Sequence, residues 1–235
     1  TGELPSTFIV LAEHAVDVVL VLPFLIAAGW SSIRKLTPRQ WGALLVIGVG
    51  GSAAATVAFT QSFHYVSPSV AVVLQKLQPL VAITLAAVVL KESFGKQFWL
   101  WAGAALIGAY FVTFAGFTPQ LYPGAPMQLQ LHGAILALVA AVLWATSTVM
   151  GRYLLAGVDF KLVTSLRFVV AFVTLLVTAY STHAVPVLSS VTGKNWLFIA
   201  ITAVTSGVVS LFIYYHGLRT TKASVASLAE LGFPV

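Results

Sequence analysis

The stretch "SVAVVLQKLQP" at residues 69–79 returns in altered form as "SVASLAELGFP" at residues 224–234. Both stretches begin with Ser-Val-Ala, end with proline and carry one ionisable residue between apolar neighbours. The shift of 155 residues that relates them also aligns "LTPRQW" at 36–41 with "VTGKNW" at 191–196, without a gap. A spacing that stays constant over this length indicates an internal repeat.

The composition places this repeat in a membrane. The chain has 235 residues, of which 59% are hydrophobic and 8% are charged, and its mean hydropathy is +0.98. Soluble domains have about a quarter of their residues charged, so we predict an integral membrane protein. Without cysteine the chain has no disulfides, thiolate metal sites or iron–sulfur clusters. We expect no metal, no cofactor and no nucleic-acid partner.

Seven segments have about the 20 apolar residues that a helix needs to cross the hydrocarbon core. They lie at 5–28, 41–64, 69–90, 97–117, 132–153, 161–181 and 196–217, and an eighth begins near 223. The uncharged connector "TPQLYPGAPMQLQL" at 118–131 separates a first repeat, at 1–117, from a second, at 132–235. We expect helices two to five of ten in the first repeat, and helices six to eight with the start of nine in the second.

Basic residues occur in alternate loops. One set of loops carries nine lysines and arginines at or beside its ends, and the other set carries only Lys194. The positive-inside rule therefore predicts a cytoplasmic location for the first set, at 29–40, 91–96, 154–160 and 218–222.

The same charge pattern predicts that the two repeats are inverted. The loop "HYVSPS" before the first copy of the repeat is uncharged, whereas "LRTTKAS" before the second copy is basic. Equivalent segments therefore enter the bilayer from opposite sides, as in an inverted-topology transporter fold. An odd number of helices per repeat produces this inversion, and five fits the spacing. We thus predict an all-α integral membrane protein of five plus five helices, which here lacks the first helix and the end of the second repeat.

Several stretches resemble the EamA-type branch of the drug/metabolite transporter superfamily. They are "FTQSFHYVSPSVAVVLQKLQPLVAITLAAVVLKE" (59–92), "LALVAAVLWATSTVMGRYL" (136–154), "VTSLRFVVAF" (163–172) and "YYHGLRTTKASVASLAELGFP" (214–234). The resemblance implies five-plus-five inverted helices around a central cavity, with the proline-bearing fourth and ninth helices beside it. It also implies alternating-access transport of small metabolites across the plasma (inner) membrane. The family usually has small or neutral residues where this chain has Lys76.

Ionisable residues inside predicted spans suggest two ion pairs. A charge at a helix centre costs about 2.5–3.5 kcal/mol on insertion scales, so partners or water are expected. Counted from the span ends, Glu13 and Lys76 lie at one depth and Arg167 and Glu230 at another. We therefore predict Glu13–Lys76 and Arg167–Glu230 pairs, which either fix the helix register or bind a charged substrate group.

Asp17 lies one helical turn beyond Glu13 and has no evident basic partner. Burial disfavours the charged form of a carboxyl group, so an unpaired one tends to hold a proton. We expect Asp17 to take part in proton coupling, with Glu13 and His14 nearby. A protonated or water-bound side chain without a transport role is the alternative.

The proline-containing stretch is predicted to border a polar cavity. Pro79 removes a backbone donor and frees a carbonyl group, which water or a neighbouring helix must satisfy. The polar residues Gln75, Lys76 and Gln78 cover more than one face of the same two turns, and Glu230 occupies the corresponding stretch of the second repeat. We also place Trp144 and Tyr214 at this cavity, with packing in the core or at the membrane interface as the alternative.

These observations favour a secondary transporter over an enzyme. We expect an exporter of a small polar or amphipathic metabolite, driven by a proton gradient or by exchange, with the lipid bilayer as its other partner. The absence of a GxxxxGK[ST] loop argues against ATP-driven transport, and no HExxH or GxSxG motif indicates catalysis. An accessory subunit of a larger membrane complex and an intramembrane enzyme stay open as alternatives, as does a homodimer.

Overall fold

The computed structural model describes residues 4–113, 126–186 and 191–232, and within these ranges it contains helices and no strands. In chain order the helices are α1 (Ser6–Arg34), α2 (Pro38–Leu45), π1 (Val46–Ala54), α3 (Ala55–Ser62), α4 (Pro68–Gln75), α5 (Gln78–Val89), α6 (Lys96–Thr113), α7 (Met127–Leu155), α8 (Phe160–Ser181), α9 (Gly193–Thr202), π2 (Ala203–Val209), α10 (Ser210–Leu218), α11 (Ala223–Ala229) and a final 3₁₀ turn (Glu230–Gly232). The chain is an all-α, multi-pass membrane protein.

Six helical stretches of the described residues are long and apolar enough to cross a membrane. They are Ser6–Arg34, Pro38–Ser62, Pro68–Val89, Met127–Leu155, Phe160–Ser181 and Gly193–Leu218, and they match six of the seven predicted spans. The predicted span at 97–117 corresponds to α6, and its last four residues lie outside the described ranges. The connector at 118–131 is shorter at its end than predicted, because α7 already begins at Met127.

The repeat is visible in the helix ends. The Thr37 hydroxyl accepts a hydrogen bond from the Gln40 amide at the start of α2, and the Thr192 hydroxyl accepts one from the Asn195 amide at the start of α9. Thr192 and Asn195 follow Thr37 and Gln40, respectively, by 155 residues. Such a cap satisfies one of the backbone donors that a helix start leaves open.

The same period relates two π-helical segments, π1 and π2. When 155 is subtracted from Ala203–Val209, the segment falls at 48–54, inside Val46–Ala54. The π-helix is rare and occurs frequently at functional sites. Its wider turns interrupt the second and the seventh predicted spans at equivalent depths.

In both copies of the proline-containing stretch the α-helix ends directly before the ionisable residue, and we call α4–α5 and α11 with its 3₁₀ turn the two broken helices. α4 ends at Gln75 and α5 begins at Gln78, so Lys76 and Leu77 form a turn between them. In the second copy α11 ends at Ala229, and the 3₁₀ turn follows. Pro79 lies one residue into α5, where its missing amide proton costs least.

Helix packing is arranged around these equivalent elements. α1 packs against α8 and π2, and α8 packs against π1. One long helix of each repeat therefore packs against the π segment of the other repeat. α7 packs against α3, π1, α4 and α5, and α11 packs against α5. A Cβ atom added to Gly51 of π1 would overlap the Ser147 side chain of α7, so glycine allows this close approach.

Candidate functional site

A central cavity of about 570 Å³ lies between the two broken helices. Its lining residues come from α3, α4, α5, α7, π2, α11 and the turns that follow α4 and α11: Phe59, Val72, Gln75, Lys76, Gln78, Pro79, Trp144, Ser206, Ala229, Glu230 and Leu231. Six of the predicted cavity residues are therefore brought together here, and both copies of the repeat contribute to the wall.

One wall of the central cavity is aromatic. The rings of Phe59 and Trp144 meet edge to face, with centroids 5.1 Å apart. Aromatic pairs in this geometry are worth about 0.5–1.5 kcal/mol beyond the area they bury. The pair presents a rigid apolar surface to whatever occupies the cavity.

Another edge of the cavity is polar and joins the two repeats. Lys76 is 8% exposed, and its ammonium group donates to the Leu231 carbonyl oxygen at 3.2 Å. The Gln78 amide donates to a Glu230 carboxylate oxygen at 2.6 Å, and the Gln75 amide donates to the Gln78 oxygen at 3.5 Å. This edge therefore places a cation, amides and a carboxylate along a single short stretch.

Tyr214 lies behind Glu230 rather than in the central cavity. It lines a neighbouring groove with Glu230, and its hydroxyl donates to that carboxylate. The Tyr214 and Thr148 hydroxyl oxygens are 3.0 Å apart. The Glu230 carboxylate therefore accepts hydrogen bonds from both Tyr214 and Gln78.

A second, smaller cavity of about 270 Å³ borders the first. It is lined by Glu13, His14, Asp17, Ser52, Thr56, Trp144, Arg167, Phe168, Thr202, Ala203, Ser206, Gly207 and Leu211. Trp144 and Ser206 line both cavities, so the two spaces meet at these side chains. We call them the central cavity and the hydroxyl-rich cavity.

Arg167 is the cation of the hydroxyl-rich cavity. It is 6% exposed, and it donates through Nε to the Ser52 hydroxyl at 2.5 Å and through one terminal nitrogen to the Tyr215 hydroxyl at 2.7 Å. These bonds tie α8 to π1 and α10.

Asp17 and His14 line the same cavity from α1. The Oδ1 atom of Asp17 is buried without a hydrogen-bond partner and lies against Gly207, where a Cβ atom would clash with it. His14 donates through Nδ1 to the Val10 carbonyl oxygen at 2.9 Å, which leaves Nε2 as its second polar atom.

The two cavities group the ionisable residues differently from the predicted ion pairs. Glu13 lies with Arg167 in the hydroxyl-rich cavity, and Lys76 lies with Glu230 in the central cavity. The hydrogen bonds of Lys76 and Arg167 given above go to a carbonyl oxygen and to hydroxyl groups. The Glu13–Lys76 and Arg167–Glu230 ion pairs stay predictions. Among the described residues no group of three or more His, Asp or Glu side chains could hold a metal ion.

Sequence reasoning missed the hydroxyl partners of Arg167. Ser52 lies in a run of small residues that indicates close helix packing, and nothing in that run distinguishes it from its neighbours. Its counterpart under the 155-residue shift is Gly207, which faces Asp17. The equivalence becomes visible only in the structure, where both positions face an ionisable residue of the other repeat's long helix.

Comparison with known proteins agrees with this architecture. A model of the EamA-like transporter family matches residues 2–114 and 131–235. A protein of Fusobacterium nucleatum subsp. nucleatum named riboflavin transporter ImpX is 28% identical over 231 residues, which cover 97% of this chain and 76% of that protein. A crystal structure superposes with a TM-score of 0.74 at 16% identity, covering 98% of this chain and 75% of the other, and so shares the fold.

Proposed function

The chain belongs to the EamA-like transporter family, and we propose that it moves a planar, uncharged heteroaromatic metabolite of the riboflavin class through the central cavity. As a member of this family it is a transporter rather than an enzyme, and it binds a small molecule within the membrane. The relative named as a riboflavin transporter supports the choice of substrate class.

The proposal is based on the shape and chemistry of the central cavity. A flavin ring is a flat, largely apolar tricycle with carbonyl and ring-nitrogen groups along one edge. The Phe59–Trp144 wall suits stacking of the flat face, and the amides of Gln75 and Gln78 suit the polar edge. Ligand sites are generally apolar clefts of about 300–1,000 Å³ with a few convergent polar groups, and the cavity fits this description.

Alternating access follows from the repeat. We propose that the two broken helices exchange positions around the cavity, so that it opens first to one side of the membrane and then to the other. The contacts between Lys76 and Leu231 and between Gln78 and Glu230 are those that such a movement would rearrange. In this proposal the protein resides in the plasma membrane, with the four basic loops in the cytoplasm.

The direction and the driving force are part of the same proposal. We expect export, coupled to protons through Asp17 with Glu13 and His14, because the Asp17 carboxyl group is buried with one oxygen unpartnered. Liposomes of known orientation test this expectation: imposing a proton gradient should drive accumulation against the riboflavin gradient, and Asp17→Asn should abolish that effect. Equal accumulation with and without the gradient would exclude coupling.

Counterflow of labelled riboflavin in proteoliposomes tests the transport proposal. We expect riboflavin exchange by the wild-type chain, and a loss of about tenfold or more in Trp144→Ala, because one aromatic stacking contact is worth about 1–3 kcal/mol. Trp101→Ala is the matched control, since Trp101 is 68% exposed on α6 and lies outside both cavities. Absence of exchange by correctly folded wild-type protein would overturn the proposal.

A further inference from the structure

We propose that the hydroxyl-rich cavity is a second subsite that binds the neutral polyol chain of the substrate, while the central cavity binds its ring. This inference rests on the proposed function and extends it to the part of the substrate that decides specificity. It also predicts which flavins are rejected.

The first argument is position. Trp144 and Ser206 line both cavities, so a molecule stacked on Trp144 in the central cavity lies next to the hydroxyl-rich cavity. A ring with a flexible chain attached to its central part can therefore occupy both spaces at once. The smaller volume, about 270 Å³, is enough for a short polyol chain.

The second argument is hydrogen-bonding chemistry. Four hydroxyl side chains line this cavity, together with two carboxyl groups, one guanidinium group and one imidazole: Ser52, Thr56, Thr202, Ser206, Glu13, Asp17, Arg167 and His14. Each hydroxyl group of a polyol is both a donor and an acceptor, so a polyol can satisfy such a mixed lining. The unpartnered Oδ1 atom of Asp17 is one acceptor that lacks a donor within the protein.

The third argument is charge. The cavity contains two carboxyl groups and one guanidinium group, and the guanidinium already donates to Ser52 and Tyr215. The cavity therefore has no excess positive charge that could bind a phosphate group. A phosphate group in this cavity would also lie beside Glu13 and Asp17. A phosphate group carries up to two negative charges, and burying them beside a single cation that is already engaged is costly, whether the two carboxyl groups are charged or protonated. We expect the subsite to accept the free polyol and to reject its phosphate ester.

Fluorescence titration of the purified full chain with three flavins tests the inference. The probes are riboflavin, lumiflavin (the same ring with a methyl group in place of the polyol) and riboflavin 5′-phosphate. We expect riboflavin to bind about tenfold or more tightly than either of the others, because a hydrogen bond to a charged group is worth about that factor. Asp17→Asn should reduce riboflavin affinity about tenfold and leave lumiflavin affinity unchanged.

Thr56→Val is a second variant of nearly the same shape, and it should lower riboflavin affinity in the same direction without affecting lumiflavin. Thr178→Val, on an exposed part of α8, is the control and should change neither. Equal affinity of the wild-type chain for riboflavin and lumiflavin, or equal losses for both ligands in the variants, would overturn the second subsite. Failure of all three flavins to bind would instead overturn the proposed function together with the subsite.

Discussion

Lys76 donates a hydrogen bond to the main-chain carbonyl oxygen of Leu231, its own counterpart 155 residues later in the second repeat, at 3.2 Å. In a structure with two-fold pseudosymmetry, a residue meets its counterpart only where the axis passes. Inverted repeats are related by such an axis, so we infer that it passes close to this contact, at the polar edge of the central cavity.

Replacing Lys76 with methionine should separate transport from stability. The variant loses the bond to Leu231, so we expect counterflow to fall about tenfold, the factor that corresponds to a hydrogen bond from a charged donor. The midpoint of thermal unfolding should not fall, because methionine removes the cost of burying an ammonium group.

Lys96→Met is the control for that experiment, because Lys96 is exposed at the start of α6. It should transport at the wild-type rate. Wild-type counterflow in Lys76→Met would show that the contact on the axis has no part in transport.

Glu92→Ala should loosen the start of α11. The Glu92 carboxylate accepts hydrogen bonds from the Ala223 amide at 2.8 Å, the Ser224 amide at 3.3 Å and the Ser224 hydroxyl at 2.6 Å. Loss of a helix cap costs about 0.5–2 kcal/mol, so the free energy of unfolding should fall by about that amount in a denaturant titration. Ser93→Ala should be neutral, since Lys222 bonds to the Ser93 backbone carbonyl and not to its side chain; equal stability of both variants would contradict this role of Glu92.

Gly51→Ala should be destabilising, and Gly103→Ala should not. A Cβ atom at Gly51 would overlap Ser147 on α7, whereas a Cβ atom at Gly103 on α6 meets nothing within 4 Å. Overpacking of this kind costs about 1–3 kcal/mol, which should appear as a lower midpoint of thermal unfolding. A normal unfolding midpoint for Gly51→Ala would mean that π1 and α7 are further apart than the structure shows.

The sequence predicted the spans and the repeat well, for a physical reason. Crossing the hydrocarbon core demands a run of apolar residues, and this demand leaves a pattern that can be read residue by residue. The repeat was recognisable from Thr37, Trp41 and Pro79 and their counterparts, and the structure adds matching helix caps and π segments at the same spacing. The two π segments themselves carry no signal that single-sequence reasoning could use.

The neighbours of each charged residue were harder to predict. Depth along a span can be counted, but depth alone does not tell which helix packs against which. Glu13 and Lys76 were matched by depth, and this pairing stays a prediction. In the structure Glu13 lines the hydroxyl-rich cavity with Arg167, and Lys76 lines the central cavity with Glu230. Hydroxyl partners such as Ser52 and Tyr215 become recognisable only once this packing is known.

Labelling of single cysteines tests the inverted repeat most directly, because the chain contains no cysteine of its own. His64 and Arg219 are both exposed, follow α3 and α10 at equivalent positions and are separated by 155 residues. In oriented vesicles, a membrane-impermeant maleimide should react with His64→Cys from one face of the bilayer and with Arg219→Cys from the other. Reaction of both cysteines from the same face would contradict the inverted repeat and the alternating-access transport that depends on it.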